Sequence, residues 1–347
     1  MRRAPTDASW AIPVVGPSAG QTGAVSIAAV IYNPTKVSWE RLAELVTPAE
    51  QAAGWDPGIW LETTEEETGA GLATEAVRRG AAVVLAAGGD GTIRAVAQGL
   101  RGSGVPLAVL PHGTGNLLAR NLNLALDDLP GAVAAAFDGV TRPVDVAVAR
   151  LLRLEGTAEE HVFVVMAGMG LDAQIMSTTD ERLKRRVGML AYVKAGAEAL
   201  LRDRRMRVSY QFDDGSFGSA RLHTVLIGNC GSIGGNVMLM PDALVDDGIL
   251  DILAVRPQGV FGWVRVAWRV LVDNAFVRKM LPGRESRTDR TREFLYRQAE
   301  RVQLRLRGPE EIELDGDHLG EVVEVEIAVD PGALLVRMPA GWEPQAP

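Results

Sequence analysis

The sequence predicts a two-part protein: an N-terminal α/β domain built on a parallel sheet, then a second, mainly antiparallel β domain. Three observations carry this. Residues 25–32 (VSIAAVIY) and 82–87 (AVVLAA) are unbroken apolar runs containing β-branched residues, the pattern of strands buried on both faces. Helix-like stretches alternate with such runs up to about Arg150, as βαβ units require. Beyond Arg150 the apolar segments become short and are separated by turns, and a chain of 347 residues exceeds what one core comfortably serves.

In chain order, the helix-like stretches are Trp39–Val46, Leu72–Arg79 and Ile93–Leu100, with Gly58–Glu62 and Leu107–Leu110 as further strands. The second domain is expected to hold strands at His161–Ala167, Arg221–Gly228, Ile249–Val255, Val302–Leu306, Ile312–Leu314 and Glu321–Val329. This divides the chain into an α/β domain over 25–150 and a β domain over 151–331. The last strand candidate, Gly332–Met338, lies in the tail 332–347 and either stays in the second domain or returns to the first.

Apolar residues make up 47% and charged residues 23%, the composition of an ordinary globular protein. A net charge of −8 disfavours a general nucleic-acid binder. The single cysteine, Cys230, excludes an internal disulfide framework, a four-cysteine zinc site and an iron–sulfur cluster. Residues 1–25 lack the apolar core of a secretory signal. The uncharged stretches Gly102–Ala119 and Leu222–Pro241 are interrupted by Pro106, Pro111 and a run of glycines, so neither reads as a membrane span. A cytoplasmic protein is expected.

Glycine is in excess, at 38 residues or about 11% against a usual 7% or so. The strand 82–87 runs into Gly88-Gly89-Asp90-Gly91-Thr92 and then into a helix. Such a turn presents backbone N–H groups at a positive helix end, which suits a phosphate. The spacing is neither that of a dinucleotide-binding fingerprint nor that of a Walker A loop, and a tight turn is the alternative. A second glycine turn, Pro111-His112-Gly113-Thr114-Gly115-Asn116, follows the next strand, and Asn33-Pro34-Thr35 follows the first. Ligands of open α/β sheets sit at the carboxyl ends of strands, so three such loops at one edge point to a phosphorylated ligand.

With these motifs the chain resembles the diacylglycerol kinase catalytic family, bacterial lipid kinases related to the sphingosine kinases. The resemblance covers roughly residues 25–340 and rests on Asn33-Pro34, GGDGT at 88–92, PHGTGN at 111–116, Val144-Asp145, Lys184 with Gly188–Tyr192, PDALVDDG at 241–248 and Leu314-Asp315-Gly316-Asp317. It implies a nucleotide-binding α/β domain like those of NAD kinases and phosphofructokinases, joined to a β-sandwich, with ATP between them. Asn33, Thr35, Thr63, Gly89, Asp90, Gly91, Thr92 and Thr114 match the family's nucleotide-binding positions. Relatives usually carry Asn-Glu where this chain has Arg94-Ala95, and Arg94 remains able to pair with a phosphate.

Phosphoryl transfer needs charge neutralisation at the phosphates and a carboxylate to orient or deprotonate the acceptor hydroxyl. By resemblance, Asp317 is the expected base, one methylene shorter than the usual Glu, while Asp315 and Asp90 hold a metal–water network. A plain turn is the alternative for Asp315-Gly316-Asp317. The resemblance further implies a structural Mg²⁺ on the Asp247 carboxylate and the carbonyls of Leu244 and Ile249, a fitting set for a hard cation that keeps its waters. His112 receives no role, and His318 is expected to be an ordinary turn residue.

The −8 is unevenly distributed. Residues 181–207 hold nine Lys or Arg against three Asp or Glu, and residues 262–307 hold twelve against five. Within Gly259–Leu281, Phe261, Trp263, Trp268 and Phe276 accompany basic residues, the mixture of interfacial helices on anionic membranes. A helix packed on the β domain is the alternative. The expected activity is ATP- and Mg²⁺-dependent phosphorylation of a lipid hydroxyl, diacylglycerol first, with a sphingoid base or another lipid alcohol as alternatives, at the inner membrane face. A binding module that has lost catalysis is the reading of another class, and the resemblance is compatible with a homodimer.

Overall fold

The structure is a computed structural model describing residues 26–170, 205–232, 238–256 and 294–342. Its first strand, β1 (Ile27–Tyr32), lies between β2 (Asp56–Glu62) and β3 (Val83–Gly88), and β4 (Leu107–Pro111) joins β3, all in parallel. Helices α1 (Trp39–Ala53), α2 (Ala70–Arg78) and α3 (Asp90–Leu100) make the crossovers. Alternate residues of the strands feed two cores. Ala29, Ile31, Val84 and Ala86 pack in the core that holds Ala73, Ala76, Val96 and Leu100 of α2 and α3. Ala28, Val30, Val83 and Leu85 pack with Leu42 and Val46 of α1 and with Val133 and Ala136 of α5 (Leu129–Asp138).

Helices α1 and α5 depart from the sequence expectation, as does the one-turn helix after β4. α1 runs seven residues past Val46, through Pro48, because one lost backbone bond is outweighed by an apolar stripe that continues through Ala49 into the core. Ser38 caps its start, and Gly54, at φ 70, ends it in the left-handed region. α5 was not anticipated: its Ala-rich sequence lacks a polar face, and its start is set by Asp128 accepting from Gly131 N–H, with proline tolerated in the first turn.

From Val140 onward the strands pair with one another in antiparallel fashion. β5 (Val140–Leu152) pairs along its length with β14 (Asp317–Met338), and β6 (Ala158–Phe163) lies on its other side. The remaining strands are β7 (Met166–Met169), β8 (Met206–Phe212), β9 (Gly218–Leu222), β10 (Thr224–Gly228), β11 (Leu250–Val255), β12 (Phe294–Ala299) and β13 (Arg301–Leu314). Short α4 (Leu117–Asn121) follows β4. A separate core of Phe163, Met169, Val208, Ile227, Ile252, Val302 and Val325 fills this half. The end of β14 also meets β4 in parallel at Val336↔Leu107, which joins the described strands into one hydrogen-bonded network. The predicted run His161–Ala167 is broken at Val164-Val165 and the run Arg221–Gly228 at His223, while the predicted pieces of β13 and β14 each fuse into one long strand. Lys184, Gly188–Tyr192 and the aromatic segment Gly259–Leu281 lie outside the described residues.

Residue 150 falls inside β5, and five residues before it, at Asp145, the strand meets a loop of the second half. There the β5–β14 register shifts between Asp330 and Leu334. Buried Asp145 accepts from Gly332 N–H and Gly248 N–H, both at 2.7 Å, while its own N–H donates to the Val245 carbonyl. We expect Asp145→Ala to cost about 3 kcal/mol, since each buried N–H left without an acceptor costs about 1–3 kcal/mol. Urea unfolding would show the lower midpoint, and Asp145→Asn, which keeps one acceptor oxygen, should lose less.

Candidate active site

The chain leaves β1 toward β2 and leaves the adjacent β3 toward β4 on the other side, so a crevice opens at the carboxyl ends of β1 and β3. Backbone bonds lace its rim. Thr63 N–H donates to the Tyr32 carbonyl at 3.0 Å, Asn33 N–H to Ala87 at 2.9 Å and His112 N–H to Gly88 at 3.1 Å. All the predicted loops therefore start side by side. Asn33 Oδ1 accepts from the Thr35 N–H and hydroxyl at 2.9 and 2.7 Å, which folds that loop into a tight turn.

The GGDGT residues close β3 and open α3, whose first turn follows Gly89 without a side-chain cap and so offers its N–H groups outward. The second glycine loop packs directly on the first: a Cβ on Gly113 would lie 2.8 Å from Gly89 Cα, so only glycine fits there. Asn116, at φ 48, clamps Gly113 through both amide atoms. Asp90 ties the loops together by accepting from Leu117 N–H. Burial raises its pKa, the Leu117 and Asn116 N–H groups oppose that, and the charge of Asp317 adds to it. Thr92 and Thr63 are buried, whereas Thr35 and Thr114 are exposed at loop tips.

The carboxylates come from the other half of the chain. Asp315 and Gly316, at φ 50 and 90, form a two-residue turn between β13 and β14 of the kind that needs positive φ at both central positions. Asp315 is only 4% exposed and accepts from the N–H groups of Val164, Val165 and Met166, each at 2.9 Å. Three of its four or so acceptor positions are thus spent on peptide groups. Asp317 is placed differently. Its side chain is 43% exposed, receives Arg94 Nη2 at 2.7 Å, and stands over Gly91, where a Cβ would come within 2.9 Å of Oδ2. Arg94 is largely buried, and among the described residues its Nε has no partner. His318, expected in a turn, is the second residue of β14, opposite Glu313 of β13 and 3.0 Å from its carboxylate, because the turn closes at Asp315-Gly316.

At the predicted metal turn, Asp247 Oδ1 accepts from Ile249 N–H at 3.1 Å, and Leu244 is exposed. Desolvation raises the Asp247 pKa, and the charges of Asp145 and Asp246 raise it further. This turn and the Asp315 turn are linked. Asn229, fully buried, donates to the carbonyls of Asp145 and Val164 at 2.8 and 3.2 Å, and Val164 N–H in turn holds Asp315. Sequence reasoning gave Asn229 no role; a lone amide inside the apolar run Thr224–Cys230 was the available signal.

Residues 28–149 match the family described as the diacylglycerol kinase catalytic domain, and residues 164–338 match the YegS C-terminal NAD kinase beta sandwich-like domain. A Bacillus subtilis protein named diacylglycerol kinase is 30% identical over 303 residues, covering 84% of this chain and 90% of the relative. A Pseudomonas aeruginosa protein named "Probable lipid kinase YegS-like" is 31% identical, covering 84% of this chain and 88% of the relative. In shape the chain is similar to a diacylglycerol kinase from Bacillus anthracis, with a TM-score of 0.63 at 20% identity, covering 92% of this chain and 98% of that structure. The architecture is thus an α/β domain with an antiparallel β-sandwich, as the sequence predicts.

Burial pushes the Asp315 carboxyl from its ordinary 3.8 up to about 6, against the pull of its three N–H partners and of Arg94. Because the folded value is the higher one, this group favours the folded state below about 3.8, and that contribution is lost as pH rises through about 6. Asp315→Asn should remove this downward slope from unfolding midpoints measured across that window. In the unsubstituted chain, the amide resonances of Val164, Val165 and Met166 should titrate with a midpoint of about 6.

Proposed function

The chain belongs to the diacylglycerol kinase catalytic-domain family and is a lipid kinase, and from that premise we propose that it phosphorylates the free hydroxyl of diacylglycerol at the expense of ATP and Mg²⁺. The observation that carries this reading is Asp317. A hairpin of the sandwich sets its carboxylate over Gly91 of the phosphate loop at the crevice between β1 and β3.

In this reading the N–H groups at the start of α3 and those of the Gly113–Asn116 loop cradle the phosphates, and the nucleotide contacts come from Asn33, Thr35, Thr63, Gly89, Asp90, Gly91, Thr92 and Thr114. Asp317 takes the proton of the lipid hydroxyl while that oxygen bonds to the γ-phosphorus and the bond to ADP breaks. Arg94, held on Asp317 in this state, is within reach to be shared with an incoming phosphate, which frees the carboxylate to act as base. Asp315 works as a positioning residue that fixes the hairpin. Mg²⁺ supplies neutralisation of phosphate charge. Asp247 with the carbonyls of Leu244 and Ile249 would hold a structural Mg²⁺, and the like charges of Asp145 and Asp246 beside it favour a cation there.

Diacylglycerol is preferred because it is named in relatives such as the Bacillus subtilis protein; a sphingoid base or another lipid alcohol meets the same geometry. Work on such a substrate places the protein at a membrane surface, on the cytoplasmic side where ATP is found. No helix among the described residues is long and apolar enough to cross a membrane. A non-catalytic binding module is favoured by one observation, the ion pair that occupies Asp317.

Transfer of label from γ-labelled ATP to a panel of lipid alcohols separates the two. Asp317→Asn should lower kcat by about 10²–10⁴ with the KM for ATP little changed, the range typical of losing a general base, and Asp317→Glu should retain more activity. Label transfer to no lipid at any Mg²⁺ concentration would favour the binding module. Asp247→Ala should lose the rise in thermal midpoint that Mg²⁺ gives the unsubstituted chain.

A further inference from the structure

The outer face of the β8–β9–β13 ribbon carries a groove of about 680 Å³ whose charged lining, among the described residues, is entirely arginine: Arg207, Arg221, Arg256, Arg305 and Arg307. The register explains how they gather. Arg207 lies directly opposite Arg221, and the pairing Val208↔Leu306 brings Arg307 beside Arg207 on the other side. The next outward row is Ser219, Ser209 and Arg305. The inward residues Met206, Val208, Leu222 and Leu304 are buried in the core, so the fold does not require the arginines for packing.

Like charges directly opposite on neighbouring strands are destabilising. Arg305 is relieved by Glu324 at 3.4 Å and lies over the Phe217 ring at 4.7 Å. Among the described residues, Arg207, Arg221 and Arg307 carry no ion pair with a carboxylate. Beside them Phe217, 47% exposed near the β8–β9 turn, offers an aromatic ring at the groove's edge. Arginine forks with hydroxyl groups are phosphate chemistry, and an exposed aromatic beside them suits the headgroup layer of a bilayer. Arg307 is eight residues along β13 and its turn from Asp315, roughly 25 Å at about 3.3 Å per residue, so the groove is separate from the crevice described above.

We propose that this groove binds the phosphate headgroups of an anionic bilayer and docks the protein on that surface. Its value as a membrane anchor rests on the lipid-kinase reading; its chemistry does not. The chain's net charge of −8 repels such a surface, so a local cluster of this kind also orients the molecule as it approaches.

The test is flotation of the full chain with vesicles of pure phosphatidylcholine, or of equal parts phosphatidylcholine and phosphatidylglycerol. Binding is expected only to the anionic vesicles and should weaken with salt. Arg207→Gln with Arg221→Gln should weaken it about thirtyfold, at about 1 kcal/mol per basic residue near the surface. Arg307→Gln alone should give a smaller loss, and thermal melts would confirm that each variant folds. A charge-matched control, Arg41→Gln with Arg79→Gln, should bind as the unsubstituted chain does. The proposal is overturned if the groove variants float unchanged or if the control loses as much. It also fails if a homopolymeric RNA outcompetes the vesicles. Phosphorylation of a short-chain diacylglycerol in neutral detergent micelles should survive the groove substitutions. A chain that floats on anionic vesicles yet labels no lipid would refute the kinase reading and leave the groove standing.

Discussion

The buried carboxylate of Asp315, held by three consecutive peptide N–H groups, is the constraint on which the candidate site depends. A carboxylate taken out of water is tolerated only where donors replace its hydration. Here they come from Val164, Val165 and Met166, about 150 residues earlier in the chain. To point three successive N–H groups at one acceptor, the backbone must leave the alternating pattern of a strand, and β6 and β7 are separated at those residues. The same bonds fix the turn between β13 and β14, and with it the direction of Asp317 two residues on. Placement of an exposed carboxylate over a glycine loop in the other half of the chain is thus decided by a residue that is itself almost inaccessible.

Asp145 applies the same chemistry within β5. Its oxygens hold the Asp-Asp-Gly turn through Gly248 and the shifted register of β14 through Gly332, and its carbonyl receives Asn229. Asn229 passes on to Val164, so hydrogen bonds run without a break from the turn at residues 246–248 to Asp315. Burial raises the pKa of both terminal carboxylates. Cys230, the next residue, is buried with its thiol on the Val164 carbonyl, and desolvation lifts its pKa, which makes it a packing group of this network and no nucleophile.

The α/β half was legible because its signals are local. Strands buried on both faces read as apolar runs, and the glycines of 88–92 and 111–116 stand where the backbones of two loops meet. The meeting of Asp317 with the glycine loop at 88–92 was approached through motif resemblance, which named both. What escaped is non-local. Asp315-Gly316 reads as a turn and is one, yet no property of those residues reveals that three distant N–H groups consume the carboxylate. The breaks at Val164 and His223 sit inside sequences with good strand propensity, where tertiary demand overrides local preference. The arginines of the outer face alternate correctly along each strand, but their meeting depends on a register that no single segment encodes.

The Arg94–Asp317 pair illustrates how stability and function separate here. Asp317 is 43% exposed, and ion pairs with so much solvent contact contribute about 0–1 kcal/mol. To make the contact, Arg94 buries its guanidinium and leaves Nε without an acceptor, a cost of about 1–3 kcal/mol. Taken together these terms do not favour folding, so the pair finds no explanation in stability. It has a place in the crevice: a cation with a spare donor, on the helix that begins at the glycine loop, facing a carboxylate from the opposite half of the chain. A phosphate bound at Gly89–Thr92 would supply the acceptor that Nε lacks and would compete for the guanidinium that now neutralises Asp317.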